Sequence, residues 1–288
     1  MYCEQVWLNG DFCPLTSVKV SITNHSLNYA SSVFEGIMAY EGRVFRIEEH
    51  IKRLFASAKI MYLHVNFSFE EIERAIAKLL DLNDCKNGPY YIRPLIWPNA
   101  QSFIKRDANI PANVVIFSQN HTPVGIKKSV RLLISSWVKG PSNSIPHQCK
   151  GSGNYMNSIL SKQEAAALGF DDSLFLDYEG NVAEAASSNI FFITQEGHLV
   201  TPKTQHCLPG VTRKVVLEIA AKLGIQSTEK DIAIDEIQHF AGAFLTGTAI
   251  ELQPIESINF ATENKSINFQ NLELVKILHE KYKQLVLL

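Results

Sequence analysis

The stretch Cys149-Lys150-Gly151-Ser152-Gly153-Asn154-Tyr155 places a lysine before small residues and directly ahead of a helical pattern that runs from about 155 to 168 and stops at Gly169. A large planar ligand can reach such a lysine, and Schiff-base chemistry needs an amine that is partly desolvated. Alone, the segment reads more simply as a solvated loop. It ends a Pro/Gly/Ser-rich loop at 139–153 that follows the strand-like run Val130-Arg131-Leu132-Leu133-Ile134. Beyond the helix, strand–turn–strand patterns return: Ser173–Leu176 and Asn189–Ile193 are punctuated by Glu179-Gly180 and Glu196-Gly197. An amphipathic helix then spans Val211–Leu223 and ends at Gly224.

Upstream, the first 46 residues read as short strands, with Asn9-Gly10 as a hairpin turn and Glu41-Gly42 dividing two further strands. Ile51, Leu54, Phe55, Ala58 and Met61 recur at helical spacing over 48–61. Ser68-Phe69-Glu70-Glu71 is a capping box opening a second helix, with Ile72, Ala75, Ile76, Leu79 and Leu80 inward. Strands follow near 89–97 and 112–118, and Pro94 demotes the first of them to a sheet edge. The polar stretch 119–128 is the predicted linker, so that a smaller N-terminal domain covers 1–118 and a larger C-terminal domain covers 129–288. Neighbouring strands with helices between them predict α+β layers in both, rather than strand–helix alternation. No GxGxxG or GxxxxGK[ST] is present.

Composition narrows the ligand. The 288 residues are 46% hydrophobic and 19% charged with a net charge of -2, which offers no basic field for nucleic acid. The five scattered cysteines form no Cys-x-x-Cys and point to a reducing compartment. The N-terminus lacks a secretory pattern and no window matches a membrane span, so a cytoplasmic protein with a small-molecule ligand is expected.

Several side chains fit such a ligand. Leu208-Pro209-Gly210-Val211-Thr212-Arg213 opens a helix with a glycine and a hydroxyl, where free N–H groups favour phosphate. Thr246-Gly247-Thr248-Ala249 is a second phosphate-suited turn, or a plain strand-to-loop turn. Arg53 could bind the same anion. Glu184 is the one carboxylate in a small-residue stretch; a pyridinium nitrogen would partner it, and so would a lysine or arginine. Tyr91 and Arg93 share one strand face as a donor pair for a carboxylate. The nine histidines show no metal-ligand spacing, so no metal is expected, and His25, His50 and His147 are read as structural. Cys149 is read as a small buried neighbour of Lys150.

Taken in order, His25–Tyr29, Val33-Phe34-Glu35-Gly36-Ile37, Glu49–Leu54, Tyr91–Pro94, Lys150–Tyr155, Glu184 with Asn189, Leu208–Arg213 and Gly247-Thr248-Ala249 resemble the fold-type IV pyridoxal-phosphate enzymes. The resemblance is greatest to the branched-chain amino acid aminotransferases and spans nearly the whole chain. It implies a two-domain, D-amino acid aminotransferase-like fold and pyridoxal 5'-phosphate as cofactor. The implied reaction is transamination between branched-chain L-amino acids and 2-oxoglutarate. Lys150 would carry the cofactor and move protons, Glu184 would keep its ring nitrogen protonated, and Tyr155 would bond its O3′. Arg53, Val211, Thr212 and Thr248 would hold the phosphate. Tyr91, Arg93 and the backbone of Thr248-Ala249 would meet the substrate carboxylate. Phe34, Tyr29 and Trp137 would line its side-chain pocket, with a lid from residues 99–107 of a partner subunit in a homodimer or larger homo-oligomer. The chain departs from the family in Met38, where an arginine is common, and in Ala241-Gly242-Ala243-Phe244-Leu245. The implied alternatives are a D-amino acid or amine aminotransferase, aminodeoxychorismate lyase, and a scaffold without catalysis.

Overall fold

The computed structural model describes residues 1–100, 104–105, 107–261, 265–270 and 272–287. The chain divides into two compact units, Met1–Thr122 with Cys149–Asn154, and Pro123–Gln148 with Tyr155–Leu288. Cys149–Asn154, assigned from sequence to the second domain, therefore folds with the first: Phe34 N–H donates to the Lys150 carbonyl at 3.1 Å and Ser152 N–H to Ser32 O at 2.8 Å.

The first unit contains β1 (Gln5–Leu8), β2 (Asp11–Pro14), α1 (His25–Tyr29), β3 (Val33–Phe34), β4 (Ile37–Tyr40), β5 (Arg43–Val44), α2 (Ile47–Ile60), α3 (Phe69–Leu82), β6 (Pro89–Trp97) and β7 (Asn113–Asn120). Its seven-stranded sheet has the order β2-β1-β7-β6-β4-β5, with β3 paired to β6. Asn9 and Gly10, at φ 50° and 110°, make the hairpin turn between β1 and β2. Side chains alternate across the sheet: Val114 and Ile116 join the core under α2 and α3, while Val115 packs with Val6 and Trp97 on the other face. The capping box forms, with Ser68 Oγ accepting from Glu71 N, and the five residues expected inward on α3 are all buried.

Three local expectations fail for physical reasons. The reading of 1–46 as strands missed α1, a five-residue helix too short to show a period but capped by Asn24, whose side chain accepts from Ser26 N and Leu27 N. Strand β7 extends to Asn120, two residues into the expected linker. Strand β6 is central rather than an edge, lying between β7 and β4. Pro94 is tolerated there because its carbonyl accepts from Glu35 N at 2.9 Å. Glu35 stands opposite Pro94 in an unbroken register, so the missing N–H costs one ladder bond and interrupts the pairing between β3 and β4.

The second unit contains β8 (Val130–Ile134), α4 (Tyr155–Ala167), β9 (Asp172–Leu176), β10 (Val182–Ala185), β11 (Asn189–Ile193), β12 (Leu199–Pro202), α5 (Val211–Lys222), β13 (Ser227–Lys230), β14 (Gly242–Gly247), β15 (Glu251–Phe260), β16 (Lys265–Asn268) and α6 (Glu273–Val286). The sheet order is β10-β9-β8-β15-β14-β11-β12-β13, with β16 on β15. Strand β11 is a near-continuous apolar run, buried along its whole length, because both of its faces are covered. Leu174, Ile190 and Phe192 enter one core. On the alternate positions, the Phe191 and Phe244 rings stack at 5.1 Å. No helix among the described residues is long and apolar enough to cross a membrane.

Candidate active site

In the first unit the site grows from the break between β3 and β4. The pair Glu35-Gly36 lies there, and Glu35 is fully buried. Helix α2 presents His50 and Arg53, three residues apart and so on one face, to that carboxylate. Arg53 donates from Nε to Oε1 at 2.6 Å and from Nη2 to Oε2 at 2.9 Å, while His50 Nδ1 meets Oε2 at 2.8 Å. Burial opposes ionisation of Glu35, but the Arg53 charge and the hydrogen bonds of His50 and Arg53 outweigh it, holding the carboxyl well below the usual range. Burial pushes His50 down, with Glu35 acting against that and Arg53 and Lys150 adding to it. The neutral imidazole is thus the favoured form, donating Nδ1–H to Glu35.

Lys150 is half-buried beside this network. Its backbone is fixed by Ser57, whose Oγ accepts from Lys150 N at 2.9 Å. Its Nζ lies 5.1 Å from the centroid of the Phe34 ring, over which the Arg93 guanidinium carbon also sits at 4.3 Å. Arg93 donates to the Tyr91 hydroxyl from Nη2 at 2.7 Å and from Nε at 3.2 Å, as the shared strand face predicted. Gly36 makes room for that hydroxyl: a Cβ there would lie 2.3 Å from Tyr91 Oη. Met38 is buried on β4 and pairs in register with Tyr91. Tyr29 is 43% exposed, its ring 4.9 Å from His25. His25 is held by Ser31 Oγ at 2.7 Å and the Ile104 carbonyl at 3.2 Å. Cys149 is buried, and burial pushes its thiol up, which removes it as a thiolate nucleophile. The expected lid, 99–107, includes residues outside the described ones.

In the second unit, Glu184 on β10 is 8% exposed. Its Oε1 meets Lys139 Nζ at 2.9 Å, the lysine partner that the sequence left open. Its Oε2 accepts from Leu208 N at 3.2 Å and Asn189 Nδ2 at 3.4 Å. Asn189 Nδ2 also donates to Leu208 O at 2.8 Å, and a Cβ on Gly210 would lie 2.0 Å from Asn189 Oδ1. Gly210 caps α5 without a side-chain bond to its first turn, where Val211 and Thr212 are buried. Thr248 and Ala249 are half-buried in the turn joining β14 to β15. Close by in sequence, Thr246 Oγ1 is buried with no hydrogen-bond partner among the described residues. Tyr155 begins α4, and Trp137 is 44% exposed.

Sequence reasoning missed Lys139, which it placed in the loop 139–153, and gave no role to Glu35; it read His50 as structural, and His50 holds Glu35. A carboxylate between two apolar strands was the available signal for Glu35. For Lys139, a position two residues from an exposed tryptophan gave none.

A family model described as amino-transferase class IV matches residues 32–258. A probable branched-chain-amino-acid aminotransferase of Rickettsia typhi is 40% identical over 284 residues, 99% of this chain and 97% of its own length. A branched-chain aminotransferase of Thermoproteus uzoniensis, solved with norvaline, has a TM-score of 0.92 at 33% identity, covering 99% of this chain and 95% of that one. A branched-chain amino acid aminotransferase of Thermobaculum terrenum, solved in its PLP-bound holo-form, has a TM-score of 0.88 at 30% identity, covering 99% and 94%.

Proposed function

We propose that this chain, which belongs to the class IV aminotransferase family, transfers the amino group of branched-chain L-amino acids to 2-oxoglutarate using pyridoxal 5'-phosphate. The observation that carries the reading is the ring of Phe34, which has Lys150 Nζ at 5.1 Å and the Arg93 guanidinium at 4.3 Å. An amine for covalent chemistry and a donor pair for a carboxylate share one aromatic wall.

Each unit, taken by itself, carries donors of a kind that fits part of the cofactor. The first unit has the half-buried Lys150 amine and an arginine held in a fixed direction. The second has a buried carboxylate, a helix N-terminus without a side-chain cap and, at Thr246, a buried hydroxyl with no hydrogen-bond partner among the described residues. When bound, pyridoxal phosphate supplies an electron sink for the charge left when the substrate Cα loses its proton. Lys150 Nζ would hold the cofactor and move that proton. Glu184 would accept from the ring nitrogen, Tyr155 would donate to O3′, and Arg53, Val211 N–H, Thr212 and Thr248 would hold the phosphate. Tyr91, Arg93 and the backbone of Thr248-Ala249 bind the substrate carboxylate. Phe34, Tyr29 and Trp137 bind an aliphatic side chain, which Leu, Ile and Val provide. The protein works in the cytoplasm as a homodimer or larger homo-oligomer.

The test is the visible spectrum of the purified holoenzyme during addition of L-leucine, L-glutamate or D-alanine without oxo acid. Conversion from the pyridoxal to the pyridoxamine band with L-leucine and L-glutamate is expected. Conversion with D-alanine alone would move the assignment to a D-specific enzyme, and conversion with L-leucine but not L-glutamate would remove 2-oxoglutarate as acceptor.

A further inference from the structure

Lys139 is a buried charge that the proposed chemistry leaves unused. Its side chain is 10% exposed, and its backbone N–H is pinned to Leu176 O at 2.8 Å. Its ammonium lies 2.9 Å from Glu184 Oε1 and 4.8 Å from the centroid of the Phe175 ring. Desolvating an ammonium is costly, and a buried ion pair can often be replaced by apolar residues without loss of stability. Stability alone therefore gives little reason for a lysine here.

We infer that Lys139 is a positioning residue that keeps the proton shared by Glu184 and the cofactor's ring nitrogen on the nitrogen. The inference rests on Glu184 being the partner of that nitrogen. Where a carboxylate and a pyridine share a proton in a dry site, the neutral pair of acid and pyridine competes with the ionic pair of carboxylate and pyridinium. An ammonium in contact with one carboxylate oxygen is nearer to the carboxylate than to any donor bound at the other. Coulomb attraction to the anion then exceeds repulsion of the pyridinium, and the ionic pair wins. Only a proton changes place, from Glu184 to the ring nitrogen. Lys139 also fixes direction: with Oε1 on Lys139 and Oε2 on Leu208 N and Asn189, the carboxylate cannot rotate without breaking a hydrogen bond.

The experiment is reconstitution of the apoprotein with pyridoxal phosphate labelled with 15N in the ring, read by the ring nitrogen's chemical shift. Wild type and Lys139→Arg are expected at the protonated position, and Lys139→Met and Lys139→Gln at the unprotonated one. Methionine keeps the stem over Phe175 and glutamine keeps a hydrogen-bond donor, so a folding defect in one leaves the other informative. As a second readout, the apoprotein's preference for pyridoxal phosphate over the analogue with CH in place of the ring nitrogen should fall about tenfold or more in both neutral variants, the loss of one charge-assisted bond. A ring nitrogen that stays protonated in the neutral variants but not in Glu184→Gln overturns the role of Lys139. An unprotonated wild type, or a protonated Glu184→Gln, instead overturns the assignment of Glu184.

Discussion

Replacing Gly36 with alanine should damage substrate binding through one contact. The glycine's φ is not positive, so alanine meets no backbone strain there. The added Cβ would lie 2.3 Å from Tyr91 Oη and 2.8 Å from its Cζ and Cε2, where ordinary contact begins at 3.4 Å. Tyr91 must retreat by about 1 Å, which stretches its 2.7 Å bond from Arg93 Nη2 out of useful range and turns the hydroxyl away from a substrate carboxylate. A hydrogen bond to a charged group is worth about 1.5–3 kcal/mol, so kcat/KM for L-leucine should fall roughly 10- to 150-fold. The overpacking itself should cost about 1–3 kcal/mol of stability, visible as a lowered melting temperature. The decisive assay is a double-mutant cycle with Tyr91→Phe. If the effect runs through the hydroxyl, Gly36→Ala should add less than about threefold in a chain already carrying Tyr91→Phe, since the hydroxyl is absent there. Full additivity, or a folded Gly36→Ala protein within about twofold of wild type, would refute the reasoning.

Other outcomes follow from the same geometry. Lys150→Ala should abolish turnover, because both the covalent attachment and the proton carrier are lost; measurable transamination in that variant would remove Lys150 from the chemistry. Gly210→Ala should displace Asn189, whose Oδ1 would be 2.0 Å from the new Cβ, and weaken pyridoxal phosphate binding by about tenfold or more, read by fluorescence titration of the apoprotein. Glu35→Gln should lower stability by about 3–5 kcal/mol in urea, the cost of leaving a buried cation without its anion. The folded state holds Glu35 and His50 below their ordinary values, so their contribution is present above those values and lost as pH falls. Urea midpoints should therefore decline from about pH 6.5 downward, the ordinary value for His50, and His50→Gln should remove the upper part of that decline.

What was legible in the sequence is what local rules determine. Helix α3 is a capping box followed by an inward stripe, and both are properties of a few adjacent residues. The pairing of Tyr91 with Arg93 needs only the two-residue period of a strand. The helix α1 was missed because Asn24 caps a segment shorter than two turns, too brief to show periodicity. Pro94 misled for a different reason: the edge rule treats one missing N–H as decisive, whereas β6 keeps its pairing with β7 on one side and with β3 and β4 on the other despite that single lost bond. Here Glu35 N–H still donates to the Pro94 carbonyl and the register runs on from β3 to β4, so the proline interrupts the ladder between Phe34 and Ile37 without making β6 an edge. Lys139 and Glu184 are 45 residues apart in the chain, and their contact follows from the placement of β9 and β10, which no local pattern specifies.

The buried carboxylates Glu35 and Glu184 share one design. Each is held in at least three directions, Glu35 by Arg53 and His50 with the Gly36 N–H at 3.3 Å, and Glu184 by Lys139, Asn189 and the Leu208 N–H. Neither arrangement maximises stability, since apolar residues of similar volume could fill the same space. What the charges provide is direction. Glu35 binds Arg53 through two adjacent nitrogens, so the guanidinium plane is fixed before any anion arrives. Glu184 has both oxygens engaged, so its orientation is set before a ring nitrogen competes for it. In each case the reorganisation that would otherwise accompany binding has been completed during folding, which is the condition under which fixed charges contribute most to stabilising developing charge. The same need for fixed direction explains why the surrounding glycines matter. Gly36 and Gly210 each stand where a single methyl would strike an oxygen of a residue that anchors a charged group, Tyr91 in one unit and Asn189 in the other. The precision of the charges is thus maintained by the absence of side chains, and substitutions at those two glycines should perturb ligand binding more than many substitutions in the apolar core.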